Sequence, residues 1–328
     1  MKKTLKVAVA ASVLSTPALA VNMENPLFLP SQGMVYSKSS VGLMVKVADN
    51  TVANHNKGHS GETEFPIYRL HQDIGYGITD RFAVHGSFGY THDGDIERKG
   101  LHLGRIGATY RVFQNHDDFV WDLYADAHMG GVGKMEGAYT ATGFKYDNYS
   151  NGRWGFHVGT KLGKTWGRFT GSAFIEGLKT FGNANNEIRV GVPGLIALGI
   201  PDTISVDLKS TFEVNAGLKG FYEINDRWAL GGGLTYKHHA DNGVRSLATD
   251  ISGANPTGIA MVNGLMTGLA NMDDGFDEYI VSISVANQIT DMTQVVLYAD
   301  YTLDTAHAQS QNGTDLKAEI GARINVAF

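Results

Sequence analysis

Acidic, basic and imidazole side chains recur in this 328-residue chain at a spacing of two. Arg69, His71 and Asp73 form one such run, and Lys317, Glu319 and Arg323 form another near the end of the chain. Asp122, Asp126 and His128 share one parity with each other. Arg105 and Arg111, Lys161, Glu213 and Lys219, and Asp300 also alternate with apolar neighbours. Successive side chains of a strand point to opposite faces, so this spacing gathers charge on one face. A face carrying both signs can neutralise itself as a salt-bridge network, or it can line a wet passage and sort solutes by charge. Both readings stand at this level. The acids at 122 and 126 and the bases at 105 and 111 fall on strands expected to be neighbours, so some of them should pair.

Catalytic patterns are missing. There is no G-x-S-x-G elbow and no H-E-x-x-H pair. Gly131-Val132-Gly133-Lys134 is not a phosphate loop, because His128 stands in place of the first glycine and Met135 in place of Ser or Thr. His71, His85, His128 and His157 lie on the polar phase of their segments. His102 does not, and no Ser partners it for hydrolysis at an apolar wall. Carboxylates cluster at 92–97 and 273–278, and solvated loop charge is favoured there over a divalent cation site. The chain has no Cys. The expectation is therefore no enzyme activity, no catalytic residues, no cofactor and no resident metal.

These faces need strands to carry them. From Leu316 to Phe328 the even positions are Leu, Ala, Ile, Ala, Ile, Val and Phe, while the odd ones include Lys317, Glu319, Arg323 and Asn325. Thr293–Leu303, Phe212–Ile224, Phe119–Met129 and Arg81–Tyr90 alternate in the same way. Such segments run ten residues or more, whereas globular strands average about five or six. Aromatics gather near their ends, as Tyr76, Trp121, Trp166, Phe169, Tyr222 and Trp228 do. Connections alternate between short turns, such as 79–80, 225–227 and 290–292, and long loops, such as 49–65, 134–151 and 239–275. Glycine is abundant at 41 residues, proline scarce at 7, and mean hydropathy is −0.15. That average is what strands produce when every second residue is apolar. It also fits the absence of any mature run of 18 apolar residues.

The fold expected is all-β: a transmembrane antiparallel up-and-down barrel of about twelve strands. Residues 203–224 are counted as one long strand, and an extra hairpin between 181 and 210 would make the number fourteen. Two apolar stretches, 192–200 and 258–269, interrupt the long loops. They either pack together or in the barrel mouth, or they form a hydrophobic entrance or constriction.

Residues 1–20 carry Lys2, Lys3 and Lys6, a short apolar stretch and Ala18-Leu19-Ala20, the pattern of a cleaved secretory signal peptide. Removing those three lysines takes the formal charge from −6 to −9. This balance excludes nucleic acid as a partner. Residues 21–32 are assigned to a periplasmic N-terminal segment and 33–328 to the barrel.

The signal peptide, the repeated amphipathic strands, the turn Gly77-Ile78-Thr79-Asp80-Arg81-Phe82 and the terminal Phe328 together resemble the Gram-negative outer-membrane β-barrel, or porin-like, class. The likeness covers nearly the whole mature chain. It implies residence in the outer membrane of a Gram-negative bacterium after secretion across the inner membrane. Implied partners are outer-membrane lipid and lipopolysaccharide, a small solute, and the barrel-assembly machinery, which would read Ile324, Val326 and Phe328. Arg323 departs from the class, where glycine is frequent. The function implied is a narrow passive channel for small solutes, with selectivity from lumen charges and extracellular loops. The alternative is a structural or adhesion barrel with a blocked lumen and partner-binding loops. The lumen lining expected is Arg69, His71, Asp73, Arg105, Arg111, Asp122, Asp126, His128, Lys161, Glu213, Lys219, Asp300, Lys317, Glu319 and Arg323.

Overall fold

The computed structural model describes residues 22–49, 67–93, 98–114, 119–129, 135–139, 144–146, 154–182, 186–189, 193–240, 244–271, 276–304 and 315–328. For some strand-end residues it describes the backbone alone. The signal peptide, Gly131–Lys134 and most of the two carboxylate clusters lie outside the described residues.

Twelve strands close into one antiparallel ring. In chain order they are β1 (Val35–Asp49), β2 (Ile67–Thr79), β3 (Phe82–Asp93), β4 (Arg98–Gln114), β5 (Phe119–Met129), β8 (Gly155–Trp166), β9 (Phe169–Thr180), β12 (Thr211–Glu223), β13 (Trp228–His239), β15 (Phe276–Thr290), β16 (Thr293–Asp304) and β17 (Asp315–Ala327). Five short strands lie between them: β6 (Met135–Tyr139), β7 (Phe144–Tyr146), β10 (Asn186–Arg189), β11 (Thr203–Leu208) and β14 (Val244–Leu247). The ring closes where β1 pairs β17 from Tyr36↔Ala327 onwards. Hydrocarbon offers the backbone no hydrogen-bond partner, and closure satisfies every strand on both edges. Barrel strands of 11 to 17 residues are long enough to cross a bilayer at a tilt.

The expected alternation decides which face points out. Leu43, Ile320, Ala299 and Ile283 are cross-strand neighbours on one belt. Ile283, Leu297 and Ile320 are each 62% exposed. A continuous apolar belt of this kind has no place in water, and lipid is the solvent it suits. Tyr110, Phe113, Trp121, Trp166, Phe169, Tyr222 and Trp228 ring the short-turn end, all exposed. Trp166 and Phe169 stack at 5.9 Å. The tight turns at that end are held locally. Asn225 Oδ1 accepts from the backbone N–H groups of Arg227 and Trp228, both at 2.9 Å, and Gly167 adopts φ 58°.

The long-loop end holds a second, small sheet. β6 pairs β7, β7 meets β10, β10 pairs β11, and β11 pairs β14. Here one expectation is corrected. Residues 203–224 are two strands, with β11 in the loop sheet and β12 in the barrel, while the ring stays at twelve. Ile204 and Val206 keep the alternation of Phe212 and Leu218, but they face a different apolar phase. They are 1% exposed and pack with Leu195, Ile200, Val262 and Met266. Phe212 and Leu218 face outward. Alternation cannot tell lipid from a protein core.

The two apolar loop stretches supply that core. The short helix Pro193–Ala197 and the helix Pro256–Asn271 bring Leu195, Val262 and Met266 together. Asn255 caps the longer helix by accepting from the N–H of Thr257 at 2.9 Å, and Pro256 opens it. Gly258, Val262 and Met266 share the buried face at a spacing of four. The stretches therefore pack on each other.

Candidate functional site: the barrel lumen

The polar phases of the twelve strands face one bore, which divides into a filled side and an open side. On the filled side, Arg111 donates from Nε to Asp122 Oδ1 at 2.8 Å and from Nη2 to Oδ2 at 3.2 Å. Asp122 is fully buried, and Lys161 Nζ approaches its second oxygen at 3.4 Å. A second network runs around the wall. His85 and His157 each contact one oxygen of Asp126. His157 Nε2 also lies 3.4 Å from Glu176. Tyr124 donates to Glu176 at 2.7 Å, and Asn215 donates to Glu176 at 3.0 Å and to Glu213 at 3.1 Å. Lys237 reaches Glu213 at 3.4 Å and Glu278 at 3.6 Å. This part of the lumen is the self-neutralising network that one sequence reading described. Asp126 is held between two imidazoles in a buried position, so the geometry makes it a structural anchor.

Glycines make room for these side chains. A methyl group at Gly107 would overlap the Asp126 carboxylate, and one at Gly159 would overlap the Tyr124 ring. A strand glycine marks close approach in both cases.

Residues 22–34, of which 22–32 belong to the segment assigned to the periplasmic side ahead of the barrel, fold into the bore at its short-turn end. Glu24 accepts from Arg323 Nη1 at 2.9 and 3.1 Å and from Asn325 Nδ2 at 2.9 Å. Arg111 Nη2 donates to the carbonyl of Leu27 at 2.6 Å. Lys38 Nζ donates to the carbonyl of Met23 at 2.7 Å and stands over the Phe28 ring. Gln294 donates to Asn22 Oδ1 at 2.8 Å. Met23 is 1% exposed. The segment thus touches β1, β4, β16 and β17 at once. Gly77 admits it, because the carbonyls of Pro30 and Ser31 occupy the place of a Cβ. Burial raises the Glu24 carboxyl, but the Lys38 and Arg323 charges and the hydrogen bonds from Asn325 and Arg323 outweigh it. Its pKa is lowered overall.

The open side is a cavity of about 460 Å³ between this segment and the wall of β12, β13 and β15. The wall there is Gly231, Gly233, Ser282 and Ser284, which project little into the bore. Lys38, Lys161, Lys219 and Arg323 also line the cavity, with Glu24 and Asp300 as its carboxylates.

The expected residues fall as follows. Arg69 Nη1 reaches Glu319 at 3.1 Å across β1, and Tyr298 donates to the same carboxylate at 3.1 Å. His71 and Asp73 pair with each other at 3.1 Å. Arg105 and His128 are cross-strand neighbours, and each keeps one buried nitrogen without a partner. The structure joins Arg111, Asp122 and Lys161 in one cluster and Asp126 and Glu213 in another. Lys219 stands apart over the Phe174 ring at 5.1 Å. The side chain of Lys317 lies outside the described residues. Ile324 and Phe328 face outward, 51% and 65% exposed, and Val326 is half-buried.

Sequence reading missed Glu24, Lys38, Tyr124, Phe174 and Tyr298. The last four sit on the polar phase of their strands, so strict alternation would have found them. Glu24 precedes the first strand and carries no periodic signal.

No family model matches the chain, and no curated protein matches it. Among solved structures, an outer membrane channel from Pseudomonas putida F1 superposes with a TM-score of 0.56 at 14% identity, over 92% of this chain and 97% of that one. The NanC porin covers 87% of this chain and 98% of its own at 10% identity, with a TM-score of 0.43. The CymD monoaromatic hydrocarbon channel covers 91% and 89% at 10% identity, with a TM-score of 0.44. With its apolar belt, aromatic ring and charged bore, this chain has the fold of the porin-like outer-membrane β-barrels.

Proposed function

We propose that the protein is a narrow, passive outer-membrane channel for small solutes. The observation that carries this reading is the cavity of about 460 Å³ left open in the bore beside the N-terminal segment, lined by charged side chains. A closed structural barrel would need no such space. Twelve strands enclose less room than the sixteen to eighteen of wide porins, and the networks of β4, β5, β8 and β9 narrow the passage further. Charge on the lining then has a large effect on what passes. The short turns lie on the periplasmic side and the loop sheet with its two helices lies outside the cell, as in the barrel class. The signal pattern at 1–20 provides the export route, and lipopolysaccharide and phospholipid surround the belt. Asp122, Asp126, Glu176, Glu213, His85 and His157 are engaged in holding the wall, and no reaction is assigned to them.

Purified protein in planar lipid bilayers tests the channel. The expected result is small, discrete current steps with little voltage dependence. Bilayers that stay silent, together with liposomes that do not swell in small sugars or amino acids, would overturn the channel and leave the structural barrel.

A further inference from the structure

Four cations and two carboxylates face the lumen cavity, and their pairing is uneven. Glu24 is taken by Arg323 and Asn325. Lys161 depends on Asp122, whose two oxygens already accept from Arg111. Lys219 has the Phe174 ring beneath it and no carboxylate partner among the described residues. Four cations against Glu24 and Asp300 leave the cavity with an excess of positive charge, to which Lys219 and the shared ion pair of Lys161 contribute most. Beside Lys219, the same wall offers glycine backbone and the hydroxyls of Ser282 and Ser284. Phe28, Tyr36 and Tyr298 supply aromatic surface. The volume is that of a small-ligand site.

We propose that this cavity binds a small aromatic carboxylate in transit. The carboxylate sits between Lys161 and Lys219, where it offsets the excess positive charge. The ring lies against the aromatic side of the cavity. The same excess charge makes the passage anion-selective, since an ammonium or a metal cation would meet like charge in a narrow bore. This rests on the channel reading for transit, but the binding site does not.

Benzoate is the probe. Across a potassium chloride gradient, the reversal potential is expected to lie on the chloride side. Benzoate should block the chloride current saturably. Benzamide, with the same shape and no charge, should not, and acetate, with no ring, should block about tenfold less well. Lys219→Gln should shift the reversal potential towards zero and weaken the benzoate block about tenfold, equivalent to about 1.4 kcal/mol. Lys219→Arg should retain both. Heat-modifiable gel mobility confirms that each variant is folded. A potassium-selective current, equal block by benzamide, or a Lys219→Gln variant identical to the parent would overturn the proposal. Calorimetric titration of benzoate into detergent-solubilised protein separates the two readings. Binding without current overturns the channel and leaves the site, whereas current without binding does the reverse.

Discussion

Asp122 is the most deeply buried carboxylate among the described residues. It has no exposed surface, accepts twice from Arg111 and faces Lys161. Asp122→Asn keeps the shape and removes the charge, which leaves two cations without their anion inside the bore. Breaking a buried pair in this way costs about 3–5 kcal/mol, so the denaturant midpoint in detergent should fall by that equivalent. The double variant Asp122→Asn, Arg111→Leu should lie closer to the parent than the sum of the two single changes, because the charge left over is smaller. An unchanged midpoint for Asp122→Asn would mean the pair carries no weight. This pair was legible in the sequence, since Arg111 and Asp122 sit on adjacent strands and meet in register. Arg69 and Glu319 were not legible as partners. They are 250 residues apart and meet only because the ring closes across β1.

At the scale of elements, the N-terminal segment decides how much of the bore is open. Its strongest tie is Glu24 to Arg323 and Asn325, reinforced by the Lys38 charge. A carboxyl whose pKa is depressed in the folded state stabilises that state at any pH above its unfolded value. The contribution is lost as pH falls through the native value. Docking of residues 22–34 should hold at neutral pH and loosen only below the ordinary carboxylate range. Single-channel conductance should then rise on acidification. Glu24→Gln should show the higher conductance already at neutral pH and lose most of the acid response. Equal conductance in parent and variant at both pH values would show that the segment does not limit flow. Sequence patterning could not place this element, because an irregular segment of thirteen residues has no period to read. The break between β11 and β12 was hidden for the opposite reason. Its period continues unbroken through residues 209–210 while its apolar face changes from loop core to lipid.

At the scale of the whole molecule, the seam between β1 and β17 turns a sheet into a barrel, and Phe328 ends it. The backbone of Phe328 exchanges hydrogen bonds with Val35 at 2.8 and 2.9 Å. Its ring packs on little and is 65% exposed on the lipid side. The closed barrel thus uses the backbone of this residue more than its side chain. Phe328→Ser keeps both backbone bonds and should refold from urea into detergent with normal heat-modifiable mobility and a nearly unchanged midpoint. A ring that contributes little to the folded state but serves as a handle during insertion has its effect elsewhere. In cells, the same variant should reach the outer membrane several-fold less abundantly than the parent. Ile324→Ser should behave similarly, since its side chain lies on the same outward face, 51% exposed. Normal cellular levels with normal refolding would remove the assembly role from Ile324, Val326 and Phe328. Poor refolding in vitro would instead make the ring a structural lock on the seam.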